Sequence, residues 1–128
     1  MGMLTAAQLS EIERFAETLG TNVQEAPDGS VNFVFDRLGT LSVVGLERED
    51  RVVIGLSRLP EAAPPDVEAR LLGEAGLDPA DGRLIHAARC EDGALLLALE
   101  IPASLLSATA LDGALSRLTE HFDRVISR

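Results

Sequence analysis

Three short runs set the tightest limit on how this chain can fold. Val31, Phe33 and Phe35 alternate with Asn32, Val34 and Asp36, a period of two that puts apolar side chains on one face of a strand. Leu41, Val43 and Val44 begin a second run that ends near Leu46, and Val52, Val53, Ile54 and Leu56 make a third. Leu38-Gly39 breaks the first from the second, and the polar run Glu47-Arg48-Glu49-Asp50 breaks the second from the third. A parallel crossover needs about a dozen residues, more than either break supplies, so the runs predict three consecutive antiparallel strands.

The flanking segments read as helices. Thr5 and Gln8 have the spacing of a capping box, and Leu9, Ile12, Ala16 and Leu19 follow at helical spacing with Phe15 beside them. The first helix is expected over residues 5–19, stopped by Gly20, and Pro27-Asp28-Gly29 then makes a turn. The segment Pro60 to Pro65 must leave the sheet, because proline removes a ladder donor. Pro65 and Asp66 open a second, short helix with Val67, Leu71, Leu72 and Ala75 on one side, closed by Gly76.

Beyond the turns at Asp78-Pro79 and Asp81-Gly82, Arg83 to Cys90 reads as a fourth strand. Asp92-Gly93 marks a hairpin, and Ala94 to Ile101 a fifth strand ended by Pro102. Thr109 and Asp112 are the candidate caps of a last helix, in which Leu111, Leu115, Leu118, Phe122 and Val125 form a narrow stripe. Arg124 and Arg128 suit the negative end of its dipole. The order is α-β-β-β-α-β-β-α, one domain over residues 1–128. It predicts an α+β fold, a twisted antiparallel sheet flanked by helices.

The strands carry apolar residues on both faces. Leu95, Leu97, Leu99 and Ile101 share one face of the fifth strand, while Ala94, Leu96 and Ala98 share the other with Glu100. Val53 opposes Val52 and Ile54, and Val44 and Leu46 oppose Leu41 and Val43. A sheet with one wet face alternates more cleanly. Helices on both faces, a partner received on one face, or dimerisation would each cover the excess.

Charge and composition narrow the function. The 21 acidic residues against 11 basic ones, all arginine, give a net charge of -10. Such a chain repels phosphate backbones, and with no Trp, no Tyr and four Phe it lacks stacking platforms for bases, so nucleic acid is not an expected partner. Cys90 is the only cysteine, which excludes an internal disulfide and fits a reducing compartment. Met1 to Leu9 has no basic, then apolar, secretory pattern, and the apolar stretch Ala94 to Leu99 is far too short to span a bilayer. A cytoplasmic protein without membrane insertion is the expectation.

Catalytic constellations do not emerge. His86 and Cys90 would share a helix face as metal ligands, but on a strand four residues span about 13 Å, too far for one ion. His121 between Glu120 and Asp123 reads as a solvated helix flank. Glycine-rich nucleotide motifs are absent, and the absence of lysine removes the phosphate-gripping Lys and Schiff-base chemistry. Ser104 and Ser107 have no His or Asp near in sequence. No enzyme activity, metal or cofactor is expected.

The order of elements, the length and the acidity together resemble the class I type III secretion chaperones, the CesT/Tir-chaperone family. The resemblance covers nearly the whole chain, including Leu38-Gly39-Thr40-Leu41-Ser42-Val43, Val52-Val53-Ile54-Gly55-Leu56, the proline-bounded second helix and Leu95-Leu96-Leu97. It implies a homodimeric bacterial protein that holds the N-terminal region of an effector extended, without ATP. The dimer interface then maps onto Val67, Leu71, Leu72 and Ala75, and Leu71→Glu is expected to split the dimer. Effector contacts map onto Phe15, Val31, Phe33, Phe35, Val44 and Leu46. The rival reading is a small-molecule-binding regulatory α+β domain, which requires a closed pocket with a few convergent polar groups.

Overall fold

The structure, a computed structural model, describes residues 4–20, 24–25, 30–35, 39–46, 50–58, 65–77, 82–90 and 93–126. The expected turns at Pro27-Asp28-Gly29 and Asp78-Pro79 and the proline segment 60–64 lie outside these residues. Helix α1 (Ala6–Leu19) is followed by strands β1 (Gln24–Glu25), β2 (Val31–Phe35), β3 (Gly39–Leu46) and β4 (Arg51–Arg58). Helix α2 (Pro65–Leu72), strands β5 (Gly76–Leu77), β6 (Leu84–Arg89) and β7 (Leu95–Pro102), and helix α3 (Ala108–Ile126) complete the order. A short 3-10 turn at Ala103–Leu105 joins β7 to α3.

Among the described residues these strands form one seven-stranded sheet, in the order β1-β2-β3-β4-β7-β6-β5. Every adjacent pair is antiparallel, as the short connections require of all but β4 and β7, which are neighbours in the sheet but not in the chain. The registers place Val31, Leu41, Val43, Val52, Ile54, Leu56, Leu97, Leu99, Ile101 and Ile85 on a single face. All are buried, and they form one cluster with Ile12, Phe15, Leu71 and the stripe Leu111, Leu115, Leu118, Phe122 and Val125. All three described helices therefore pack on the same side of the sheet.

Local chemistry fixes the helices at their ends. The Thr5 side chain accepts from the Gln8 amide at 3.2 Å, and the Gln8 side chain accepts from the Thr5 amide at 2.7 Å, completing the expected capping box. Gly20 closes α1 in the left-handed conformation. Phe15 meets Phe33 edge to face, ring centroids 5.4 Å apart, which pins α1 to β2. The cap of α3 is Ser107, whose hydroxyl accepts from the Ala110 amide at 3.0 Å. Thr109 and Asp112, the expected caps, sit inside the helix, which begins earlier than its apolar stripe indicates. Glu11 of α1 accepts from the first α3 amide, at Ala108, at 3.4 Å, a favourable place for a carboxylate.

Three sequence expectations are corrected here. Helix α2 ends at Leu72, and Gly76, expected to stop it, opens the two-residue strand β5. Strands β1 and β5 are two residues each, too short to leave a period. His121 is buried: its Nδ1 lies 3.4 Å from Glu74, the carboxylate that Arg124 also reaches. On α3 it points toward the chain following α2, so the adjacent charges do not describe its surroundings.

Gly39 begins β3 with φ +107, and a Cβ there would collide with the Ser57 carbonyl oxygen of β4. Gly39→Ala is expected to destabilise the protein by more than ~2 kcal/mol, combining a disallowed backbone with a backbone clash. Urea unfolding will read this as a lower midpoint at unchanged slope.

Candidate partner-binding surfaces

The alternation that fills the core leaves a second face, and among the described residues no helix covers it. Its residues follow from the register. Asn32, Ser42, Gly55, Ala98 and His86 form one row across β2, β3, β4, β7 and β6. Val44, Val53 and Glu100 form a row on one side, and Val34, Thr40, Ser57, Leu96 and Ala88 a row on the other. Small residues in the middle and larger aliphatic ones beside them make a shallow trough across the strands. Ser42 donates to the Asn32 side-chain oxygen at 2.6 Å, which satisfies the polar groups at one end. Gly55 lets Leu96 lie flat, since a Cβ there would come within 3.0 Å of the Leu96 side chain. Arg51 and Glu100 pair at 3.2 Å and close the row beyond Val53, where Leu46 stands opposite Arg51.

The face assignment sorts the candidate effector-binding residues. Phe15, Val31 and Phe33 belong to the core, with 1%, 0% and 0% of their surface exposed, and offer nothing to a partner. Phe33 meets Phe15 of α1, and all three lie in the core cluster shared with α3. Phe35 is half-buried and packs against that core. Val44 and Leu46 lie on the uncovered face and are half-buried. Val53, Leu96 and Ala98, which alternation puts on the second face of their strands, were not among the effector-binding candidates; Val53 and Leu96 are half-buried on this surface, and Ala98 is buried in its floor. The unbroken apolar run of β7 was the available signal.

The edges differ from the centre. Strand β1 pairs with β2 at Val31 and Asn32 only, so Phe33 to Phe35 have no strand beyond them among the described residues. Strand β5 likewise covers β6 at Leu84 and Ile85 only. Leu77 and Leu84 stand directly opposite each other there, 72% and 49% exposed, with Leu72 at the end of α2 43% exposed. Open strand edges and exposed leucines are aggregation hazards unless a partner covers them.

The dimer candidates separate on α2. Leu71 is fully buried against the core, whereas Leu72, one residue on and about 100° around the helix, is exposed. Leu71 is thus a core residue, and Leu71→Glu tests folding and not association. Ala75 is exposed beyond the helix, and the side chain of Val67 lies outside the described residues.

Two clefts open to solvent, one of about 260 Å³ between α3 and β7 and one of about 460 Å³ between the start of α1 and the 3-10 turn. Neither is a closed pocket. Among the described residues no three His, Cys, Asp or Glu side chains converge on a possible ion, and no helix is long and apolar enough to cross a membrane. His86 and Cys90 lie along and just beyond β6, the extended arrangement that separates them.

An antiparallel sheet with helices on one face and an uncovered aliphatic face defines the class of architecture. Solved structures place it more narrowly. A structure of the Yersinia pestis type III secretion chaperone SycH with a stable fragment of YscM2 matches at 20% identity and TM-score 0.63, over 94% of this chain and 98% of that one. The HopA1–SchA chaperone–effector complex matches at 16% identity and TM-score 0.66, over 97% and 98%. The heterodimeric ExoU–SpcU complex from the type III secretion system of Pseudomonas aeruginosa matches at 18% identity and TM-score 0.57, over 91% and 95%. The fold of this chain is that of type III secretion chaperones. No protein-family model matches the sequence, and no curated protein does.

Leu71→Glu and Leu72→Glu are expected to behave oppositely. The first buries an unpaired charge and should cost more than ~3 kcal/mol, whereas the second should stay within about 0.5 kcal/mol of wild type. Chemical denaturation of both variants at low protein concentration checks the contrast.

Proposed function

We propose that this protein is a type III secretion chaperone of the class I kind, which binds an N-terminal region of an effector in extended form and keeps it soluble without ATP. The observation that carries this reading is the uncovered aliphatic face formed by Val44, Val53 and Leu96 over a floor of small residues, among them the buried Ala98, with every described helix on the opposite side. An unfolded segment can lay alternate side chains on such a face and add backbone hydrogen bonds at the outer edge of β2. Ordering that segment is costly, so it must cover a large surface. The fold shared with chaperone–effector complexes supports the same partner class.

The reading includes a cytoplasmic homodimer. Leu77 and Leu84 stand paired and exposed at the β5–β6 edge, and a two-fold contact there would bury them against their copies, with the exposed Leu72 of α2 as a further apolar group. Two copies double the surface available to one segment. Binding needs no catalytic group, and the net charge of -10 favours segments with basic residues while keeping the empty chaperone soluble.

Co-expression with secreted proteins encoded in the same genome tests this directly. Wild type is expected to elute at twice 13.6 kDa and to co-purify a secreted protein through its N-terminal region, with or without nucleotide. Val53→Glu on the uncovered face should lower capture at least about tenfold, because a charge would have to be desolvated on binding. Leu77→Glu should shift the mass toward the monomer. A monomeric wild type that captures none of the candidates contradicts the proposal.

A further inference from the structure

The cleft between the first half of α3 and the sheet combines an aliphatic wall with two arginines. Leu99 and Ile101 of β7 line it from the sheet, Gly113 and Ala114 from α3, and Arg83 and Arg117 are the charged groups on it. The opening has a local cause. Before Arg117, helix α3 presents only the small residues Ala110, Gly113 and Ala114 here, and a Cβ built on Gly113 meets no atom within 4 Å. Leu105 on the same cleft is 54% exposed. Arg83 is oriented by donating to the Glu100 backbone carbonyl at 3.4 Å. Each guanidinium has further contacts within the chain, yet it remains charged in every state of pairing and carries five N–H donors.

Charge decides what fits. An acidic segment is repelled by a chain of net charge -10 as a whole, and two arginines lining an apolar hollow give it one favourable place. The cleft, about 260 Å³, lies below the roughly 300–1,000 Å³ of small-molecule pockets and suits a side chain or two. Resting on the chaperone reading, we propose that this cleft receives a partner segment in which a Leu, Ile or Val stands beside a carboxylate. The aliphatic group lies against Leu99 and Ile101, and the carboxylate pairs with Arg83 and Arg117. A basic segment gains nothing here, so the cleft fixes the register in which an otherwise adaptable partner is held.

The test uses the isotope-labelled full chain titrated with acetyl-Leu-Asp-amide and, separately, acetyl-Leu-Asn-amide, followed by amide NMR. The acidic probe is expected to shift Arg83, Gly113 and Ala114 saturably, and the neutral probe to bind at least about tenfold more weakly. Arg117→Gln should reduce the acidic probe to the level of the neutral one. Gly113→Leu fills the cleft while removing a glycine from a helix interior, so it should abolish both without weakening the fold. Equal binding of the two probes, shifts elsewhere, or none up to about 10 mM overturns the proposal. The same variants are then assayed against a secreted protein that wild type captures. An at least tenfold loss supports the cleft, and unchanged capture overturns it while the chaperone reading stands. If wild type captures nothing, the chaperone reading fails and the probe titration alone decides the cleft. A dimer lost in either variant would assign the cleft to a second copy and overturn the proposal.

Discussion

The packing of α3 across the centre of the sheet is the contact on which the rest depends. Its stripe Leu111, Leu115, Leu118, Phe122 and Val125 joins the inner faces of β4 and β7 in one buried cluster. Helices α1 and α2 flank it and bury Ile12, Phe15 and Leu71 in the same cluster. Arg58, at the end of β4, lies over the Phe122 ring with its guanidinium carbon 4.8 Å from the centroid and also meets Asp123 at 3.4 Å, which closes one margin of this core. Because the helices gather on one side, the sheet is a two-sided object with one finished side. Leu97 and Leu96 are chain neighbours with opposite fates: the first is fully buried, and the second lies over Gly55 on the uncovered face.

That asymmetry links structure to function. A wet face built mainly of charged residues would need no partner. This face has aliphatic side chains beside a row of small ones, and its one described ion pair, Arg51 with Glu100, stands at its margin. An exposed pair of that kind contributes little stability, on the order of 0–1 kcal/mol. It marks where the apolar area ends. The two-residue strands β1 and β5 leave most of both sheet edges open, so face and edges can be covered together by an extended segment and a second copy.

Much of the fold was legible because its cues are local. The Thr5–Gln8 box and the α3 stripe follow from spacing alone, and the antiparallel order follows from connection length. The surface was less legible, for a definite reason. Alternation shows that Val31 and Phe33 share one face and that Val44 and Leu46 lie on the other face of the neighbouring strand, but both faces are apolar. Which face receives the helices is decided by tertiary packing, so Phe15, Val31 and Phe33 looked as available as Val44. The same limit applied to Leu71 and Leu72, where one step around a short helix separates core from surface. Ser107 was hidden as a cap because α3 begins before its apolar stripe does. Leu77 and Leu84 acquire meaning only from the register that sets them opposite each other.

A partner that binds the uncovered face leaves the core beneath α3, at Val43, Ile54 and Leu97, intact. Methyl NMR of the protein, with and without a captured partner segment, tests this most directly. Large shifts are expected at the methyls of Val44, Val53 and Leu96 and small ones at Val43, Ile54 and Leu97, their neighbours on the opposite face. Shifts confined to the second set, with the first unchanged, would contradict it.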